Sequence, residues 1–135
     1  MSQSKLELKL EFLGTEKVLK GELMRIDAPF TIQKLMDKSP FVARTRGNIG
    51  REKNYWMVLV EIKKGAEGEE YVENEVGDIV YCPRQDAVFI IFDEGAEFNY
   101  PVYYLGEVTE GLEVLQDIRN GTNAKIHVNP LGAEE

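Results

Sequence analysis

The chain has 135 residues, about one domain's length, and at that size roughly two-thirds of the unfolded surface can be buried without a metal or disulfide staple. Apolar residues make up 43% and charged residues 30%, the balance of a globular protein rather than a disordered one. Acids outnumber bases 24 to 16, for a net charge of −8, which argues against a phosphate-binding surface and against nucleic acid as a partner. Cys82 is the only cysteine, which excludes an internal disulfide framework and a cysteine-cluster metal site.

The longest apolar runs, Tyr55–Val60 and Ala87–Phe92, have six residues each, whereas a bilayer span needs about 20. No membrane partner is expected. The opening MSQSKLELKL has no continuous apolar stretch of the kind a secretory leader needs, so the expected address is the cytoplasm.

In chain order, Leu6, Leu8, Leu10 and Phe12 alternate with Lys5, Glu7, Lys9 and Glu11. That period of two predicts a strand with one face on a core and the other in water. Gly14-Thr15 supplies a turn, and Glu16–Ile26 reads as the return strand of a hairpin. Asp27-Ala28-Pro29 reads as a helix start, a capping carboxylate followed by a first-turn proline; Ile32, Leu35 and Met36 then follow at helical spacing until Ser39-Pro40. Phe41–Arg46 is a predicted strand and residues 47–53 a loop. Tyr55–Ile62, apolar on both faces, is predicted to lie centrally in a sheet.

The glutamate-rich stretch 63–77 reads as a solvated excursion and lacks the spacing of a calcium loop. Asp78–Cys82 and Ala87–Phe92 are predicted strands joined by the turn Pro83-Arg84-Gln85-Asp86. An acidic loop over 93–101 carries Phe98 and Tyr100. Val102–Val108 is a strand, Gly111–Arg119 a helix closed by Asn120-Gly121, Thr122–Asn129 a last strand, and about 130–135 a loose tail. The tally is about eight strands and two short helices in a single domain over 1–135. It predicts a mainly β fold, a closed barrel with the helices at its ends.

Particular residues carry the resemblance to a known family. Tyr104–Ile118, YLGEVTEGLEVLQDI, resembles the strand–turn–helix of cyclophilins, and Val88-Phe89-Ile90-Ile91 stands where they carry an apolar Q-F-F-I strand. Pro40-Phe41, Gly77-Asp78-Ile79-Val80-Tyr81-Cys82-Pro83 and Gly106–Leu112 are similar, in order and spacing, to the small prokaryotic cyclophilin-like domains. The resemblance implies a cyclophilin-like closed barrel, in a family whose members are generally of unassigned function. It runs from the helix near Thr31 to the last strand.

Cyclophilins isomerise X-Pro bonds, whose barrier is about 18–20 kcal/mol because the amide loses its resonance. They do so with an arginine in an F-H-R segment, a Q-G-G-D turn, a histidine before the late strand and a cleft tryptophan. Here F-H-R and Q-G-G-D are absent, Val102 replaces the histidine, and Phe98 stands near the tryptophan position. Arg44 and Arg46 lie in the corresponding strand. They share parity, with Thr45 on the other face, and so are either simply exposed or poised at a cleft for an anionic or carbonyl ligand.

Arg44, Arg46, Phe89 and Phe98 are therefore the candidate ligand-binding residues, and the expected function is binding of a small molecule or peptide in a barrel-side cleft. The alternative is a peptidyl-prolyl isomerase with a divergent site. No cofactor and no metal is expected, since a lone histidine, His127, excludes a two-histidine site. His127 reads as a solvent-facing strand residue between inward Ile126 and Val128, and Cys82 as a packed thiol. Of Tyr55 and Trp56, one belongs in the core and the other on the outer face. Related domains occur within amide-hydrolysing enzyme systems, so the resemblance leaves open a homodimer or a subunit role.

Overall fold

A computed structural model describes residues 5–49, 52–72, 75–93, 98 and 100–130; residues 131–135 of the expected 130–135 tail, and 94–97 and 99 of the expected 93–101 loop, lie outside them. Eight strands form the fold: β1 (Lys5–Phe12), β2 (Val18–Met24), β3 (Phe41–Ile49), β4 (Glu52–Val58), β5 (Asp78–Cys82), β6 (Ala87–Ile91), β7 (Tyr103–Glu110) and β8 (Asn123–Pro130). They close into an antiparallel barrel in the order β1-β2-β7-β5-β6-β4-β3-β8, with β8 paired to both β3 and β1. Two helices complete it, α1 (Pro29–Lys38) and a 3₁₀ turn, η1 (Leu112–Asp117). Among the described residues no helix is long and apolar enough to cross a membrane.

Strand alternation dictates the inside. Leu6, Leu8, Leu10 and Phe12 of β1 are buried with Ile126 and Val128 of β8, while His127 between them is half-buried on the outer face, its Nε2 3.5 Å from a Glu11 carboxylate oxygen. The helices occupy opposite ends. α1 follows Met24, which pairs with Lys5, whereas η1 follows Glu110, which pairs with Lys20 at the far end of β2. Ile32 and Leu35 of α1 and Leu115 of η1 join the core.

Two glycines set how tightly the wall closes. A Cβ on Gly106 would collide with the backbone of Glu22 and Leu23 on β2, and one on Gly47 with the ring of Trp56, which fills the interior beside it. Trp56 is fully buried, while Tyr55 turns to the outer face. Among the described residues, the barrel interior holds a void of about 10 Å³ lined only by apolar side chains. That is about the size of one water and has no polar partner to offer it, so the lumen is packing and not a ligand chamber.

Several boundaries differ from the sequence expectations, each for a local reason. The strand expected over 55–62 ends at Val58, because Glu61 and Lys63 adopt left-handed backbone (φ 54° each). Asp86 stabilises that kink: its carboxylate accepts the amides of Ile62 and Lys63 and the Tyr81 hydroxyl, the last at 2.7 Å. The expected helix over 111–119 shrinks to one short 3₁₀ segment, and β8 runs on to Pro130, one residue into the expected tail. Asp27 does not cap α1; Glu67 does so from the 59–77 connection, accepting the amides of Phe30 (2.9 Å) and Thr31 (2.7 Å) and the Thr31 hydroxyl. One glutamate of the expected solvated excursion is thus a tether.

Gly106→Ala forces β7 away from β2, and the expected outcome is a loss of at least about 2 kcal/mol. Urea unfolding followed by the emission of Trp56, the only tryptophan, measures it; a stability equal to wild type would contradict this account of closure.

Candidate functional site

A filled lumen leaves the outer surface as the place for function. β5 and β6 are buried on both faces, so something covers them outside. The cover is a second apolar cluster: Val80, Cys82, Ala87 and Phe89 from the strands lie beneath Tyr71, Phe98, Tyr100 and Val102 from the connections. The Tyr71 amide donates to the Val102 carbonyl at 2.8 Å, seaming the two covering segments together. Tyr55 stacks on Phe89 (centroids 4.7 Å apart), and Phe98 packs against both, at 5.0 Å from Tyr55 and 5.3 Å from Phe89. Arg84 lies over the Tyr100 ring at 4.9 Å.

β4 borders this cover. Its outward residues Tyr55, Met57 and Leu59 are only half-buried. Pairing continues the row onto β3: Arg46 stands opposite Met57, which stands opposite Phe89. The Leu59 amide donates to the Arg44 carbonyl, which puts Arg44 level with Leu59. Side chains directly opposite on adjacent strands have Cβ atoms about 4.5–5.5 Å apart, so each arginine adjoins an apolar β4 side chain. Arg44 and Arg46 are exposed, and Thr45 between them is fully buried.

The four sequence candidates therefore share one outer face. Arg44 and Arg46 form one side of a shelf, Tyr55, Met57 and Leu59 its floor, and Phe98 its other side. Phe89, 3% exposed, supports the floor from beneath Tyr55 and offers little surface of its own. Met57 and Leu59 were missed by sequence reasoning because an apolar strand residue looks alike whether it faces a core or a cleft; the parity they share with Tyr55 is the signal that could have found them. Cys82 is fully buried in the covered cluster, and burial pushes its thiol pKa up, against weaker hydrogen-bond and charge effects from Gln85 and Arg84. It is no ready nucleophile.

Beyond the Tyr71–Val102 seam lies a second concavity of about 540 Å³, lined by Asp27, Glu67, Glu69, Glu70, Glu75, Asp78 and Glu107 with Tyr71 and Tyr104. The turn after β2, the 59–77 connection, β5 and β7 assemble it, so no local motif announces it. Asp78, buried, accepts the Tyr71 hydroxyl (2.7 Å) and the Glu75 amide (2.8 Å). Burial, and then the hydrogen bond to Asp78, push the Tyr71 pKa far up; burial and the neighbouring carboxylates raise that of Tyr104. Burial alone would raise Glu67, but the amide of Phe30, the hydroxyl and amide of Thr31 and the charge of Lys64 outweigh it and hold its pKa below the usual range. Among the described residues no group of three or more His, Cys, Asp or Glu side chains is arranged to hold a metal ion.

No family model matches the sequence, and no curated protein matches it. Among solved structures, the chain is similar to the solution structure of a hypothetical protein from Archaeoglobus fulgidus, with a TM-score of 0.73 and 18% identity over 92% of this chain and 95% of that one. At that identity the likeness is one of fold.

Glu67→Ala removes the acceptor at the α1 terminus, with an expected loss of about 1 kcal/mol at neutral pH. Because the folded pKa of Glu67 is depressed, the difference from wild type holds above the ordinary value of 4.5 and shrinks as pH falls below it. Urea titrations at several pH values measure this. Tyr71 has the opposite sign: its raised pKa favours the fold below the ordinary value of 10.0 and the gain is lost above it. The stability difference between wild type and Tyr71→Phe is therefore flat to about pH 10 and declines beyond it.

Proposed function

We propose that the protein is a cyclophilin-like domain that binds a small molecule or peptide on the outer face of its barrel, at the shelf between β3 and Phe98. The observation that carries this reading is the row Arg46–Met57–Phe89, with Phe98 packed on Phe89. A guanidinium beside an apolar floor with an aromatic side is a small set of oriented polar groups on an apolar surface, which is what small-ligand sites are made of. The sequence likeness to cyclophilins, which use an arginine on this strand, supports it. The packed lumen supports it too, by removing the other place a barrel holds a ligand.

A divergent peptidyl-prolyl isomerase is the second reading, favoured by the same row. Isomerisation requires an apolar seat for the proline ring and a donor for the amide nitrogen as it loses conjugation. Met57 and Phe98 would provide the seat and Arg46 the donor.

The test is an amide-resolved NMR titration with proline-containing peptides and a metabolite library, together with a protease-coupled isomerisation assay. The expected result is that at least one ligand perturbs Met57, Leu59 and Phe98, and that Arg46→Ala, at an exposed site tolerant of substitution, weakens that binding. Isomerisation above background that disappears in Arg46→Ala would select the enzymatic reading. Absence of any ligand, with Arg46→Ala silent in every measurement, would remove both.

A further inference from the structure

The electrostatics of the shelf narrow the chemistry of its ligand. The Arg44 and Arg46 guanidinium groups have no ion-pair or hydrogen-bond partner among the described residues; the side chains of Lys20, Lys63, Arg119 and Lys125 have none either, whereas Lys5 pairs with Glu22, Lys9 with Glu11, Lys17 with Asp117, and Arg25 with Gln33. In a chain of net charge −8, what sets these two apart is that both are guanidinium groups on one strand face beside an apolar floor. Their partners in register are Met57, Leu59 and Asn123, none of them a carboxylate.

Two residues apart on one strand face, the arginines are rooted about 6.6 Å from each other. Guanidinium groups are rigid donor forks that fit the paired oxygens of a carboxylate or phosphate, and two of them at this spacing can converge on one such group. The floor beside them, Tyr55, Met57 and Leu59 with Phe98 opposite, offers nothing comparable to a second charge. We propose that the shelf takes a small organic anion: a single oxyanion, held by Arg44 and Arg46, joined to an apolar body that lies on Met57, Leu59 and the Tyr55–Phe98 pair. The proposal rests on the reading of this face as the binding face and adds the charge and shape of what binds.

The net charge of the whole chain does not oppose this. At physiological salt the screening length is about 8 Å. A compact anion held between the two guanidinium groups therefore feels them more than carboxylates a screening length or more away. An extended polyanion would reach those carboxylates and be repelled.

The test uses the full chain and three probes of one shape: 1-naphthoate, 1-naphthyl phosphate and the neutral 1-naphthalenemethanol. Binding is followed by NMR shifts at residues 44–46, 57–59 and 98. The expected result is saturable binding of at least one of the two anions, at least about tenfold tighter than the alcohol and weakened by added salt; which anion wins identifies the oxyanion. Arg44→Gln/Arg46→Gln should abolish the preference for the anion while leaving the weak binding of the alcohol. Arg25→Gln, which removes one positive charge elsewhere, should change nothing. Equal affinity for anion and alcohol, or an anion preference that survives the double substitution, overturns the proposal. If proline peptides bind the shelf and neither anion does, the ligand class is wrong and the site stands. If nothing binds there, the reading of the site falls with it.

Discussion

Closure of the sheet on itself is the constraint from which the rest of this molecule follows. β8 pairs with both β1 and β3, so among the described residues no strand edge is left unpaired and every strand has one inner and one outer face. Closure at this diameter is sterically narrow. β7 passes β2 with no room for a Cβ at Gly106, and the Trp56 ring occupies the space that any side chain at Gly47 would need. Leucine, isoleucine and valine fill the remainder, so the interior is committed to stability.

Function is thereby displaced to the outer wall, and the connections divide that wall. The segments around Tyr71 and Val102 lie over β5 and β6 and bury both faces of those strands. On one side of this cover is the arginine-flanked shelf over β4; on the other is the carboxylate-lined concavity. The cover is anchored by two carboxylates far apart in sequence. Asp86 holds the kink after β4, and Glu67 holds the N-terminal amides of α1. Two neighbouring surfaces of opposite charge are thus kept apart by an apolar layer whose position depends on a few strong, charge-assisted hydrogen bonds.

Much of this was legible in the order of residues. The alternation of Leu6, Leu8, Leu10 and Phe12 named the inner face of β1, and the parity of Arg44 and Arg46 around Thr45 placed both arginines outward. The number of short strands between turn residues implied a barrel. The helix caps were less legible. Asp27 stands in the local position of a cap, yet Glu67, thirty-six residues from Thr31, makes the bonds. Likewise Tyr55–Ile62 has the composition of an unbroken strand, but Asp86 captures the amides of Ile62 and Lys63 and turns the chain at Glu61.

The sequence alone determined the inward residues of β1 and β8, that there are about eight strands, and that two arginines share a face, because these depend on the period-two geometry of a strand and on local turn chemistry. Only the tertiary structure decided which strands became neighbours, that Met57 and Leu59 lie between those arginines and Phe89, and that carboxylates from four separate segments share one concavity. Those outcomes depend on register and closure. They are properties of pairs of segments distant in the chain, and no local pattern encodes them.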